Sequence, residues 1–180
     1  MDLILVQNAE ALPKEQNPDR PLTAQGINTA SQLGNFLKSM GLNPKKIYHS
    51  PKERSQQTAE IIGRFFSNKV KLHLFKGLLP GDSVSDLLKE IKKIKEDSII
   101  VGHEPTLSKL AVRLLVRTKI SSFFQMEPGC CLWLSYDNET KEWSLRGFFR
   151  SQSLSVLFDN RVNGRTKRSK IPINQNTQTL

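Results

Sequence analysis

Cysteine is nearly absent from this sequence: two residues in 180, Cys130 and Cys131, and they are adjacent. Neighbours on an extended strand point to opposite faces, so this pair can build neither a disulfide framework nor a thiolate metal site. Also missing is any run of about 18 uncharged apolar residues, as a membrane span would need. The opening Met1-Asp2-Leu3-Ile4-Leu5-Val6 has no basic n-region and too short an apolar run for a signal peptide. These absences predict a soluble cytoplasmic chain in a reducing compartment. Aromatics make up only 7% of the residues and are not interleaved with basic runs, which argues against a nucleic-acid reader. The length and a 37% hydrophobic content fit one globular domain rather than two.

What the sequence has in excess is positive charge, 27 Lys and Arg against 17 Asp and Glu, for a net +10. Five of those ten charges lie between Asn160 and Leu180, at Arg161, Arg165, Lys167, Arg168 and Lys170, in a stretch without an acidic residue. The only sizeable apolar side chains there are Val162, Ile171, Ile173 and Leu180, too few to offset the entropy of ordering the segment. The chain therefore reads as a domain over residues 1–158 followed by a basic, flexible tail over 159–180. That tail is a solvated extension or an anchor for RNA, lipid or an acidic partner. The lysines from Asp86 to Asp97 alternate with Glu90 and Glu96, a pattern of solvated helix charges.

Strands and helices alternate along the rest. Leu3 to Val6 is a short continuous apolar run, as expected of a strand covered on both faces. Thr23 stands where a helix N-cap belongs, and Ile27, Ala30, Leu33, Leu37 and Met40 then recur at helical steps up to Gly41, suited to a left-handed cap. Lys46 to His49 is a brief strand. Ser50-Pro51 opens a helix with its proline in the first turn and Ala59, Ile62 and Phe66 as its buried stripe. Val70, Leu72 and Leu74 alternate with Lys71 and His73, predicting a half-exposed strand with His73 on its outer side. Val84, Leu87, Leu88, Ile91 and Ile94 mark an amphipathic helix. Ser98 to Val101 is a buried strand ended by Gly102-His103, and Leu107, Leu110, Ala111 and Leu114 give another helix. Cys130 to Tyr136 and Trp143 to Phe149 flank Asp137-Asn138-Glu139 as a hairpin. Strands alternating with helices of about 12 to 18 residues predict an α/β fold, a three-layer α/β/α sandwich on a mixed, mostly parallel sheet with a C-terminal hairpin. Ligands in such sheets sit beyond the carboxyl ends of central strands, which selects the loops after Val6, Tyr48 and Val101.

Those loops carry Gln7-Asn8-Ala9-Glu10, then Ser50-Pro51 with Arg54, Gln57 and Thr58, then Gly102-His103-Glu104-Pro105; Arg20-Pro21-Leu22-Thr23 with Gly26 precedes the second. In order and spacing these motifs resemble the histidine phosphatase superfamily, and within it the SixA-like phosphohistidine phosphatases, from about residue 1 to 150. The resemblance implies a phosphoglycerate mutase-like fold and a phosphate site at Gln7, Arg20, Arg54 and His103, with His103 also catalytic and no metal or cofactor. It implies phosphate or a phosphohistidine-bearing protein as partner.

One departure changes the chemistry. Where the family has Arg followed by the nucleophilic His, this chain has Gln7 and Asn8. An amide nitrogen has its lone pair delocalised into the carbonyl and cannot attack phosphorus. Gln also lacks the charged fork that Arg offers a phosphate. A further family feature, a Glu that protonates the leaving group, is replaced by Gly77, with Asp82 the nearest carboxylate in the sequence. A phosphohistidine leaves as imidazole and needs less acid help than an alkoxide. The reading is of a pocket that holds phosphate but turns it over poorly or not at all. The alternatives are a phosphatase working through His103, His49 or a water, and a basic adaptor using its tail.

Overall fold

A computed structural model describes residues 1–66, 70–116 and 124–154. The elements are β1 (Asp2–Gln7), α1 (Ala24–Ser39), β2 (Lys46–His49), α2 (Glu53–Gly63), β3 (Lys71–Leu74), α3 (Val84–Ile91), β4 (Ser98–Gly102), α4 (Thr106–Leu115), β5 (Cys131–Tyr136) and β6 (Trp143–Phe149). One sheet runs β3-β2-β4-β1-β5-β6. Its first four strands are parallel, and β5 and β6 form the closing antiparallel hairpin.

The three layers follow from strand pleating. Leu3 and Leu5 of β1, Ile100 of β4, and Leu132 and Leu134 of β5 point to one face, where Leu87 and Ile91 of α3 and Leu107, Leu110 and Leu114 of α4 cover them. Ile4, Val6, Ile99, Val101, Cys131 and Trp133 point to the other, under Leu33, Phe36 and Leu37 of α1 and Ala59 and Ile62 of α2. Cys130 and Cys131 are both buried free thiols, one in each layer. Burial pushes the Cys131 thiol far up, so it behaves as a small apolar residue.

Several local expectations shift. In α1, Ile27 and Met40 are 48% and 50% exposed, while the buried face runs through Gly26, Thr29, Ala30, Leu33, Gly34, Phe36 and Leu37. The two glycines explain the phase: a Cβ on Gly26 would sit 2.0 Å from the Glu10 carbonyl oxygen, and one on Gly34 would meet the Phe65 ring at 2.5 Å. Close backbone approach, not side-chain bulk, sets which side of α1 faces inward. Gly41 does adopt the left-handed conformation, with φ of 81°.

The helix after Ser50-Pro51 begins at Glu53 with Lys52 as its N-cap, leaving Pro51 in the preceding turn. It ends at Gly63, so Phe66 packs on the core from beyond its last turn. The helices span 16, 11, 8 and 10 residues. α3 stops at Ile91, because tight turns from Glu90 to Lys93 and from Ile91 to Ile94 bend the chain and bury Ile94. At the edge strand β3 the alternation is reversed: Leu74 is 61% exposed, whereas His73 is half-buried beside the Tyr48 ring, its Nε2 without a partner. With nothing beyond β3 in the sheet, Leu72 and Leu74 lie on the more open side. The domain boundary near Phe158 and the tail over 159–180 fall outside the described residues. Among the described residues no helix is long and apolar enough to cross a membrane.

Candidate functional site

Parallel register brings three loops to one edge of the sheet. Gln7 pairs with Gly102 and His49 with Val101, so the residues that follow β1, β2 and β4 emerge side by side. Two bonds continue the ladder into the loops: Asn8 N–H donates to the Gly102 carbonyl and Ser50 N–H to that of Val101, each at 3.1 Å.

The motif residues divide into clamps and pocket walls. Thr58 Oγ1 accepts from Ala9 N–H at 3.1 Å while donating to the Arg54 carbonyl, which pins the loop after β1 to α2. Gln57 Oε1 accepts from Leu22 N–H at 2.8 Å. Thr23 accepts from Gly26 N–H at 2.9 Å as the N-cap of α1 and donates to the Glu10 carboxylate at 2.7 Å. Gln57, Thr58, Thr23 and Gly26 therefore hold loops together.

Gln7, Asn8, Arg20, Arg54 and His103 line one cavity of about 280 Å³, together with Ala9, Glu10, Ala11, Pro80, Glu104 and Pro128. Arg20 sits in a loop at φ of 54°, a left-handed conformation uncommon for a side chain of its size, and its Nε donates to the Leu12 carbonyl at 3.0 Å. Arg54 is the second residue of α2, whose N-terminus has no side-chain cap. Among the described residues no carboxylate pairs with either guanidinium. Burial, and then the charge of Arg20, pull the Arg54 pKa down. A guanidinium stays charged at neutral pH regardless, so an anion placed between the two relieves both costs.

The opposite wall is neutral. His103 is 4% exposed and Asn8 7%. His103 Nδ1 lies 2.8 Å from Asn8 Oδ1, while Asn8 Nδ2 donates to the Ala9 carbonyl at 2.9 Å. Since an amide oxygen only accepts, Nδ1 carries the proton and Nε2 carries the lone pair. That lone pair takes the Ser50 hydroxyl at 2.7 Å, with Ser55 Oγ at 3.3 Å. Burial, reinforced by Arg54, Lys52 and Arg20, pulls the His103 pKa from 6.5 to about 4. The ring is neutral at pH 7 and both nitrogens are occupied from within the protein.

Gln7 leaves Oε1 buried without a partner, since an amide brings an acceptor wherever it brings donors. His49 is buried with Nδ1 on the Ser50 carbonyl at 3.0 Å and does not line the cavity. Asp82 also lies away from it, its Oδ2 accepting from Leu79 N–H at 2.8 Å. The carboxylates that do line the cavity are Glu10 and Glu104. Burial raises the Glu104 pKa, and its Oε1 has no partner. Glu104 was not singled out from the sequence; its position next to His103 was the only signal. Ser50 was legible as a motif residue but not as a partner of His103, and Ser55 carried no signal of its own. Among the described residues no cluster of His, Cys, Asp and Glu suits a metal ion.

Residues 6–78 match the histidine phosphatase superfamily, branch 1. Over that span this chain is similar to the histidine phosphatase superfamily. An uncharacterized protein of Picosynechococcus sp. is 30% identical over 102 residues, which cover 53% of this chain and 60% of that protein, under two thirds of its length. Among solved structures, the protein histidine phosphatase SixA complexed with tungstate superposes with a TM-score of 0.73 at 18% identity, covering 86% of this chain and 99% of SixA. The alpha-ribazole phosphatase of Shigella flexneri gives 0.65 at 20% identity, over 84% of this chain and 97% of its own. The phosphoserine phosphatase of Entamoeba histolytica, in complex with 3-phosphoglyceric acid, gives 0.63 at 19%, over 85% and 98%. At these identities the likeness is one of fold. Within this histidine phosphatase fold, the cavity lies where the three loops meet.

Proposed function

We propose that this domain binds the phosphoryl group of phosphate or of a phosphohistidine-bearing protein and does not transfer it. The observation that carries the reading is the 2.8 Å bond between Asn8 and His103. Phosphoryl transfer to a side chain needs an unshared nitrogen lone pair aimed at phosphorus. Position 8 offers an amide. At His103 the lone pair is engaged by Ser50, and a pKa of about 4 marks a weakly basic nitrogen, poor both as nucleophile and as general base for a water. Binding has no such requirement, and Arg54 and Arg20, unpaired with any carboxylate among the described residues, supply positive charge for it. A SixA-like substrate class, a cytoplasmic location and a basic tail after residue 158 belong to the same proposal.

The test is hydrolysis of a phosphohistidine protein by the native chain beside the Gln7→Arg, Asn8→His double variant, with thermal shifts in tungstate for both. Tungstate stabilises both proteins and only the double variant hydrolyses, by several orders of magnitude over native. Native turnover abolished by His103→Ala or His49→Ala would instead establish a working phosphatase. Absence of any tungstate shift would remove the phosphoryl site.

A further inference from the structure

Beside the phosphoryl cavity lies a groove of about 860 Å³, and the two share Arg20 and Arg54 as a common wall. That volume falls in the range that takes a drug-sized group, roughly 300–1,000 Å³. It is far more than one phosphoryl group uses. We infer that the groove seats acidic residues flanking the phosphorylated side chain, so that the ligand is a phosphorylated, acidic polypeptide segment. This rests on the phosphoryl-binding reading of the adjoining cavity.

The groove adds Lys14 and Lys52 to the two arginines. Both lysines are exposed, and neither forms an ion pair among the described residues. Two carboxylates, Asp19 and Glu53, also stand on its walls, the latter accepting from Gln57 Nε2 at 2.8 Å, so four cations face two anions. The excess charge is therefore positive and continuous with the cavity.

The walls are built in advance. Leu12 N–H donates to the Pro21 carbonyl at 2.8 Å, Arg20 N–H to that of Asn17 at 3.1 Å, and Asp19 N–H to Asn17 Oδ1 at 3.0 Å. Pro18, Pro21 and Pro51 stiffen the rim. A wall already ordered gives up little entropy when an extended chain settles on it. None of the described residues that line the groove is aromatic, so they offer no platform for a base to stack on. Its size and open polar lining suit several residues of polypeptide.

The experiment uses the full chain and two fluorescent peptides, each centred on a phosphonate analogue of phosphohistidine, one flanked by Asp and Glu and the other by Asn and Gln. Fluorescence anisotropy at low salt gives the acidic probe about tenfold tighter binding, and the advantage shrinks as salt is raised. In Lys14→Gln, Lys52→Gln, two exposed substitutions, the advantage falls below about threefold while the tungstate thermal shift persists. Equal affinities for the two peptides with tungstate binding intact would overturn the groove and leave the cavity standing. An advantage that survives loss of both lysines would overturn it too. A native chain that binds neither tungstate nor either peptide overturns the phosphoryl reading and this inference together. A short single-stranded RNA that displaces the acidic probe at equal concentration would replace polypeptide by nucleic acid as the occupant.

Discussion

The two walls of the phosphoryl cavity differ in how their polar groups are satisfied. On one side Arg54 and Arg20 stand as charged groups without a carboxylate partner among the described residues. On the other, Asn8 and His103 answer each other, and Ser50 completes the chain of hydrogen bonds. Unpaired charge is free to act on a ligand; a satisfied pair must first be broken. Affinity for an anion and reactivity toward it are thus separable within one cavity, since the first needs positive charge and the second an idle lone pair.

The contrast is broken most sharply by removing one cation. Arg54→Ala weakens tungstate binding by roughly 100-fold, about 3 kcal/mol, whereas Asn8→Ala changes it by less than about threefold. Titration calorimetry compares them, and equal losses would mean that both walls hold the anion. The state of the satisfied wall is tested by pH. With its pKa lowered to about 4, folded His103 takes up a proton later than the unfolded chain does near 6.5. Its share of stability is thus complete above pH 6.5 and is lost as the pH falls from there toward 4, by at most about 3 kcal/mol. Denaturant unfolding of native protein and His103→Gln across that window gives diverging curves, and saturating tungstate reduces the divergence because a bound dianion favours imidazolium. Parallel curves would mean that His103 is not held neutral. The smallest effect belongs to the scaffold beneath both walls: Thr23→Ala costs about 1 kcal/mol of stability through the lost cap of α1 and leaves tungstate affinity unchanged.

Much of this was legible in the sequence because the signals are local. Runs such as Leu3–Val6 and Ile99–Val101 mark strands wherever they occur. The phase of α1 was not legible, since Ile27 and Met40 keep a helical period with Leu33 while Gly26 and Gly34 decide which side approaches Glu10 and Phe65. Motif order identified Asn8, Arg54 and His103 one by one. Their mutual geometry depends on the register of β1 against β4, which joins residues 95 apart in the chain. Glu104 stayed hidden because its role comes from burial, not from any pattern around it.

The pairing of Gln7 with Gly102 has one more consequence. Because the strands fix positions 8 and 103 as neighbours, whatever side chain stands at 8 dictates the tautomer of the imidazole at 103. A single exchange there thereby sets the availability of two groups. The route in the other direction is equally short: a residue at 8 that makes no claim on Nδ1 frees that nitrogen of His103 while Ser50 keeps its hold on Nε2.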